Sequence, residues 1–94
     1  MSEARKHFYR DVPGIGNVAV SRHAQDRMIE LGISQAEFDL TLFEPSEPDI
    51  REGSQVVWRV RYGVRLIIVP RPTPFRGAAL VKTVFRIKPQ QSAV

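Results

Sequence analysis

The run Val56-Val57-Trp58-Arg59-Val60-Arg61-Tyr62-Gly63-Val64-Arg65-Leu66-Ile67-Ile68-Val69 carries the fold assignment. Val56, Trp58, Val60 and Tyr62 alternate with Val57, Arg59 and Arg61, a period of two that a strand turns into two opposite faces. Gly63 marks a tight turn, after which Val64, Leu66 and Ile68 alternate with Arg65, Ile67 and Val69. Beyond the proline-rich loop 70–77 (PRPTPFRG), Val81, Thr83, Phe85 and Ile87 alternate with Leu80, Lys82, Val84 and Arg86. Three such strands in succession make an antiparallel meander. The more apolar set of each strand should face the core, which makes Trp58 and Tyr62 core aromatics and Thr83 a packed strand threonine. Arg59, Arg61, Arg65, Lys82 and Arg86 fall in the other set, so five cations are expected on one open face or its rim.

Upstream the period is helical. Ser21 reads as an N-cap, Ala24, Met28 and Leu31 form one apolar stripe, and Gly32 suits a left-handed C-terminal stop. The first helix is expected over about residues 22–31. Ser34-Gln35-Ala36-Glu37 matches a capping box, and Ile33 with Phe38 matches a hydrophobic staple. Pro45 disfavours helical geometry at Glu44 and ends the second helix near there. Asn17-Val18-Ala19-Val20 reads as a short strand, and His7-Phe8-Tyr9 can start another. The fold class is therefore α+β: two N-terminal helices packed on one face of an antiparallel β-sheet.

The chain has 94 residues, which is one domain, with residues 1–16 as an N-terminal extension and 88–94 as a flexible tail. Hydrophobic residues at 43% and charged residues at 26% are globular values. With no cysteine and two histidines, a disulfide scaffold, a thiolate zinc site and a cysteine nucleophile are excluded. No metal and no cofactor are expected. The opening MSEARKHFYR has no signal-peptide core, and no apolar run approaches ~18 residues, so a soluble cytoplasmic protein without membrane contact is expected. Residues 1–50 hold five Lys/Arg against nine Asp/Glu, whereas residues 51–94 hold nine against one. A basic half on a small domain suggests a polyanion or an acidic protein as partner.

His23 and Arg27 lie four apart on one helical face, beside the apolar stripe. A histidine of ordinary pKa can transfer protons near neutrality, and an arginine can clamp phosphate oxygens. Attack by RNA's own 2′-hydroxyl needs those two services and no metal. The plain alternative is a surface histidine pairing locally with Asp26 or Glu30. Gly14-Ile15-Gly16 lacks the glycine pattern and the Lys-Ser/Thr of a phosphate loop.

The segment Ser21-Arg22-His23-Ala24-Gln25-Asp26-Arg27-Met28-Ile29-Glu30-Leu31-Gly32-Ile33-Ser34 resembles the opening of a bacterial and phage family of unknown function. Its members begin S-x-H-A-x-x-R-M-x-E-R-G-I-S. The closing Leu80-Val81-Lys82-Thr83-Val84-Phe85-Arg86 is similar to that family's final strand, and the resemblance spans about residues 18–87. It implies membership of the barnase–EndoU–colicin–RelE-like group of metal-independent toxin ribonucleases, to which BrnT-type toxins are similar in layout. It further implies two helices on a curved antiparallel sheet, with RNA on the exposed sheet surface and an antitoxin as a second partner. On this resemblance His23, Arg27, Thr83 and Arg86 are the candidate catalytic residues. Arg59, Arg61, Arg65 and Lys82 are the candidate RNA-binding residues. One departure is Leu31, where the family usually has Arg; Thr83 is another, because either the strand register differs, as through a bulge, or Thr83 is structural. The alternative function is a non-enzymatic phage- or plasmid-encoded regulator that binds an acidic host protein or RNA through its basic face.

Overall fold

Six segments pair into one mixed sheet in the computed structural model, which describes residues 6–53, 56–70 and 77–86. In chain order the elements are β1 (Phe8–Val12), β2 (Gly16–Val20), α1 (Arg22–Leu31), α2 (Gln35–Phe43), β3 (Ile50–Glu52), β4 (Val56–Arg61), β5 (Val64–Val69) and β6 (Ala79–Arg86). Their order across the sheet is β1-β2-β6-β5-β4-β3. The α+β class and the β4–β5–β6 meander agree with the sequence reading. Two features differ. β1 lies inside residues 1–16, expected as an extension, yet it pairs into the sheet and puts Tyr9 and Val12 in the core, and β2 pairs with β6 in parallel, so the sheet is not wholly antiparallel. The chain leaves β2, passes through both helices and three strands, and returns beside it, which is the long crossover a parallel pair requires. Most of the loop 70–77, the tail 88–94, Ile87 and residues 1–5 of the extension lie outside the described residues.

Ser21 makes the change from strand to helix. Its N–H donates to Val81 O, its hydroxyl donates to Lys82 O, and the same hydroxyl accepts from the Ala24 N–H as N-cap. The β2 ladder therefore ends at Val81, and α1 packs against the remainder of β6. Ala24 and Met28 are buried, and Gly32 closes α1 at φ 68°, a conformation that needs no Cβ. Ser34 and Glu37 form the reciprocal capping box of α2, and Phe38, Thr41 and Leu42 are its buried side. The core is a single layer between the helices and one sheet face, comprising Val18, Val20, Val57, Leu66, Ile68, Val81 and Val84 from the strands. Tyr9 joins it, its ring 5.8 Å from that of Phe38 and its hydroxyl bonded to Asp39 and Gln35.

The Glu37 carboxylate gives the domain an acid limit. Its pKa is lowered chiefly by the backbone N–H of Ser34 and further by Arg86, against an opposing effect of burial. A lowered folded-state pKa means that this stabilisation is fully present above the ordinary value of 4.5 and is lost as pH falls through the lowered value. Urea titrations at stepped pH should show a shallower loss of stability below pH 4.5 for Glu37→Gln than for wild type. Equal acid limbs would show that the carboxylate adds nothing to folding.

Candidate functional site

The faces of β4 are the reverse of those the alternation favoured. Val57 and Arg59 point to the helices and are buried, whereas Trp58 sits half-buried on the opposite face. The buried set carries Arg59, so its burial turns on what neutralises that charge. Its Nε and Nη2 donate to the two carboxylate oxygens of Asp49 at 2.9 and 2.6 Å, and its Nη1 donates to Leu42 O at 2.7 Å. A charge satisfied this fully can be buried. The β1–β2 turn closes over it, and a Cβ on Gly14 would stand 3.2 Å from Nη2. Tyr62 is not a core aromatic either. It is 79% exposed in the turn after β4, at a positive φ of 43°.

The other cations divide in the same way. Arg61 donates to Glu44 O, the C-cap of α2, and its guanidinium lies 4.9 Å from the Tyr62 ring. Arg86 donates to Leu31 O and Gly32 O at the end of α1 and to Glu37. Three of the five arginine and lysine side chains expected on the open face therefore serve helix C-termini, where a positive charge meets unpaired carbonyls and the negative end of the helix dipole. Leu31 packs against the core beside them.

A bulge in β6 explains Thr83. Ile67 faces Thr83 while the next residue, Ile68, faces Val81, so Lys82 is the extra residue. The inserted residue reverses the alternation. Val84 then joins Val81 in the core, and Thr83 and Phe85 turn to the open face. The core role expected for Thr83 is thereby corrected.

The open face is apolar and aromatic rather than basic. Val56, Trp58 and Val60 share it with Arg65, Ile67 and Val69, with Leu80, Thr83 and Phe85, and with Phe8 and Ala19. The described helices lie on the other side, where their buried residues meet the core. Two arginine–aromatic pairs flank the open face. The guanidinium of Arg65 is 4.6 Å from the Trp58 ring, and that of Arg27 reaches from α1 to 6.0 Å from the Phe85 ring. Among the described residues Arg65 Nε is buried without an acceptor, a cost of ~1–3 kcal/mol that the cation–π contact partly offsets. Arg27 also pairs with Glu30 at 2.9 Å, an exposed contact of small net worth. His23 is exposed one helical turn before Arg27 on the same face of α1, and Lys82 is exposed beside the N-cap of that helix.

Of the eight residues singled out from sequence, Arg27, Lys82 and Thr83 border one seam between α1 and β6, His23 stands one turn before Arg27 on α1, and Arg65 lies on the sheet beside the seam. Arg59, Arg61 and Arg86 are turned to the helix side. Trp58 and Phe85 are the aromatics that alternation assigned to the core. The signal that could have moved Trp58 is Asp49, which can neutralise Arg59 only if β4 is inverted. Among the described residues no group of three His, Asp or Glu side chains is placed to hold a metal ion, and no helix is long and apolar enough to cross a membrane. Comparison with family models, curated proteins and solved structures finds no match to this chain.

Proposed function

We propose that this chain is an RNA-directed, toxin-like protein, a metal-independent endoribonuclease that binds single-stranded RNA over the sheet face opposite the described helices and cleaves it at the α1–β6 seam. The observation that carries this reading is an open sheet face bearing two arginine–aromatic pairs, bordered by a helix with an exposed histidine. Aromatic side chains stack bases without regard to sequence, and neighbouring arginines add cation–π and phosphate contacts. The resemblance of residues 21–34 and 80–86 to a family in the barnase–EndoU–colicin–RelE-like group supports the same reading.

In this mechanism Trp58 and Phe85 stack bases, and Arg65, Arg27 and Lys82 hold phosphates. His23 takes the proton of a 2′-hydroxyl as that oxygen attacks the adjacent phosphorus. The P–O5′ bond breaks, leaving a 2′,3′-cyclic phosphate, and water protonates the departing 5′-oxygen. Arg27 faces the charge that develops on the nonbridging oxygens. Arg59, Arg61 and Arg86 act as helix caps here, which removes most of the basic face through which the chain would grip an acidic host protein. An acidic antitoxin remains a partner in this proposal through the seam cations.

The test is expression in a bacterial host with RNA integrity followed over time. Wild type should degrade RNA and arrest growth, and His23→Ala at equal protein level should do neither. Intact RNA with wild type would overturn the enzymatic reading.

A further inference from the structure

We infer that the end of the open face nearest α1 holds a single nucleobase with its phosphate, in a notch formed by Phe8, Ala19 and Leu80. This inference rests on the RNA-directed reading above and names a subsite for it. Register makes the notch. Phe8 pairs with Ala19 across β1–β2, and Ala19 pairs with Leu80 across β2–β6. A methyl group thus lies between a phenyl ring and an isobutyl group in one row of three strands. Larger side chains on both flanks of a small one leave a depression, and its volume is about 270 Å³.

That volume lies just under the ~300–1,000 Å³ usual for small-molecule sites, so it suits one planar ring system rather than a larger ligand. The lining is apolar, with the Phe8 ring as one wall. The rim carries His7 and Arg22, both exposed. Arg22 has only a distant partner, Asp26 at 3.8 Å, and its side chain is 89% exposed, so it is available to an anion. An apolar notch under a cationic rim fits a flat, weakly polar ring joined to a phosphate. None of the residues of the notch belongs to the proposed chemistry.

The experiment is an amide NMR titration of the full chain with a nucleoside 5′-monophosphate, with ribose 5-phosphate, and with a short single-stranded oligoribonucleotide. The monophosphate should shift the amides of Phe8, Ala19 and Leu80 in a saturable manner. Ribose 5-phosphate should move Arg22 and leave the apolar row unshifted. In Ala19→Leu the new side chain occupies the notch and not the core, and the monophosphate should bind about tenfold or more weakly, the loss of roughly one stacked base. The Trp58 indole N–H should still respond to the oligoribonucleotide in that variant. If the monophosphate leaves the row unshifted while the oligoribonucleotide moves Trp58, the subsite is wrong and the RNA-directed reading stands. If ribose 5-phosphate moves the row as strongly as the monophosphate, no base is recognised and the subsite is also wrong. A row that responds to the monophosphate while the oligoribonucleotide moves neither the row nor Trp58 supports the notch and overturns the RNA-directed reading.

Discussion

His23→Ala should slow RNA cleavage by ~10²–10⁴-fold while leaving RNA affinity within about twofold of wild type, because a positioned proton-transfer group contributes on that scale to rate and little to binding. The separation follows from geometry. His23 is exposed at the start of α1, and its removal touches no buried contact. The stacking residues Trp58 and Phe85 belong to the sheet, on other elements. Single-turnover cleavage and equilibrium binding, measured on one oligoribonucleotide, check both halves. Equal cleavage rates for wild type and His23→Ala would remove the imidazole from the mechanism. A parallel loss of rate and affinity would make it a binding residue instead.

The largest stability effect should come from Arg59. Removing one member of a buried ion pair leaves the other uncompensated, at a cost of ~3–5 kcal/mol. A domain has ~5–15 kcal/mol in total. The Arg59 side chain is 4% exposed and that of Asp49 is 17% exposed. Arg59→Met also strips the Leu42 carbonyl of its donor. Arg59→Met should therefore lower Tm by more than ~10 °C, given ~4–8 °C per kcal/mol in a domain of this size. The double variant Arg59→Met with Asp49→Leu should recover part of that loss, since the stranded carboxylate is gone. A Tm within a few degrees of wild type for Arg59→Met would mean that β4 does not bury this arginine. The open face would then regain the cation that the structure assigns to the helix side.

The same arginine shows what was legible in the sequence and what was not. Local signals read well. Ser21 and Ser34 are the N-caps, Glu37 completes the capping box, and Gly32 takes the left-handed stop. Each of those devices is contained within a few residues, so spacing specifies it. The meander was also legible, because Gly63 and the loop after Pro70 separate three alternating runs. Which face of β4 is buried was not, because the answer depends on a carboxylate ten positions away and on a helix carbonyl seventeen positions away. The bulge at Lys82 is likewise invisible to a strict period of two. It arises where β2 stops pairing and Ser21 takes over the carbonyls of Val81 and Lys82. The parallel β2–β6 pairing joins segments some sixty residues apart in the chain, and no local pattern records it.

These corrections split the candidate site, because Arg59, Arg61 and Arg86 leave it for the helix side. The basic face expected from alternation becomes an aromatic face with an arginine at two of its rings, and the seam with α1 keeps Arg27, Lys82 and Thr83, with His23 one turn before Arg27. The chain has one tryptophan, and it lies on that face. Emission excited where only tryptophan absorbs, and not Tyr9 or Tyr62, therefore reports on the proposed RNA track. Adding single-stranded RNA at low salt should quench Trp58 emission to a saturating limit, and added salt should reverse the quench as phosphate contacts are lost. Emission unchanged at RNA concentrations where binding is complete by an independent measure, or no binding at all, would contradict an RNA site on the open sheet face.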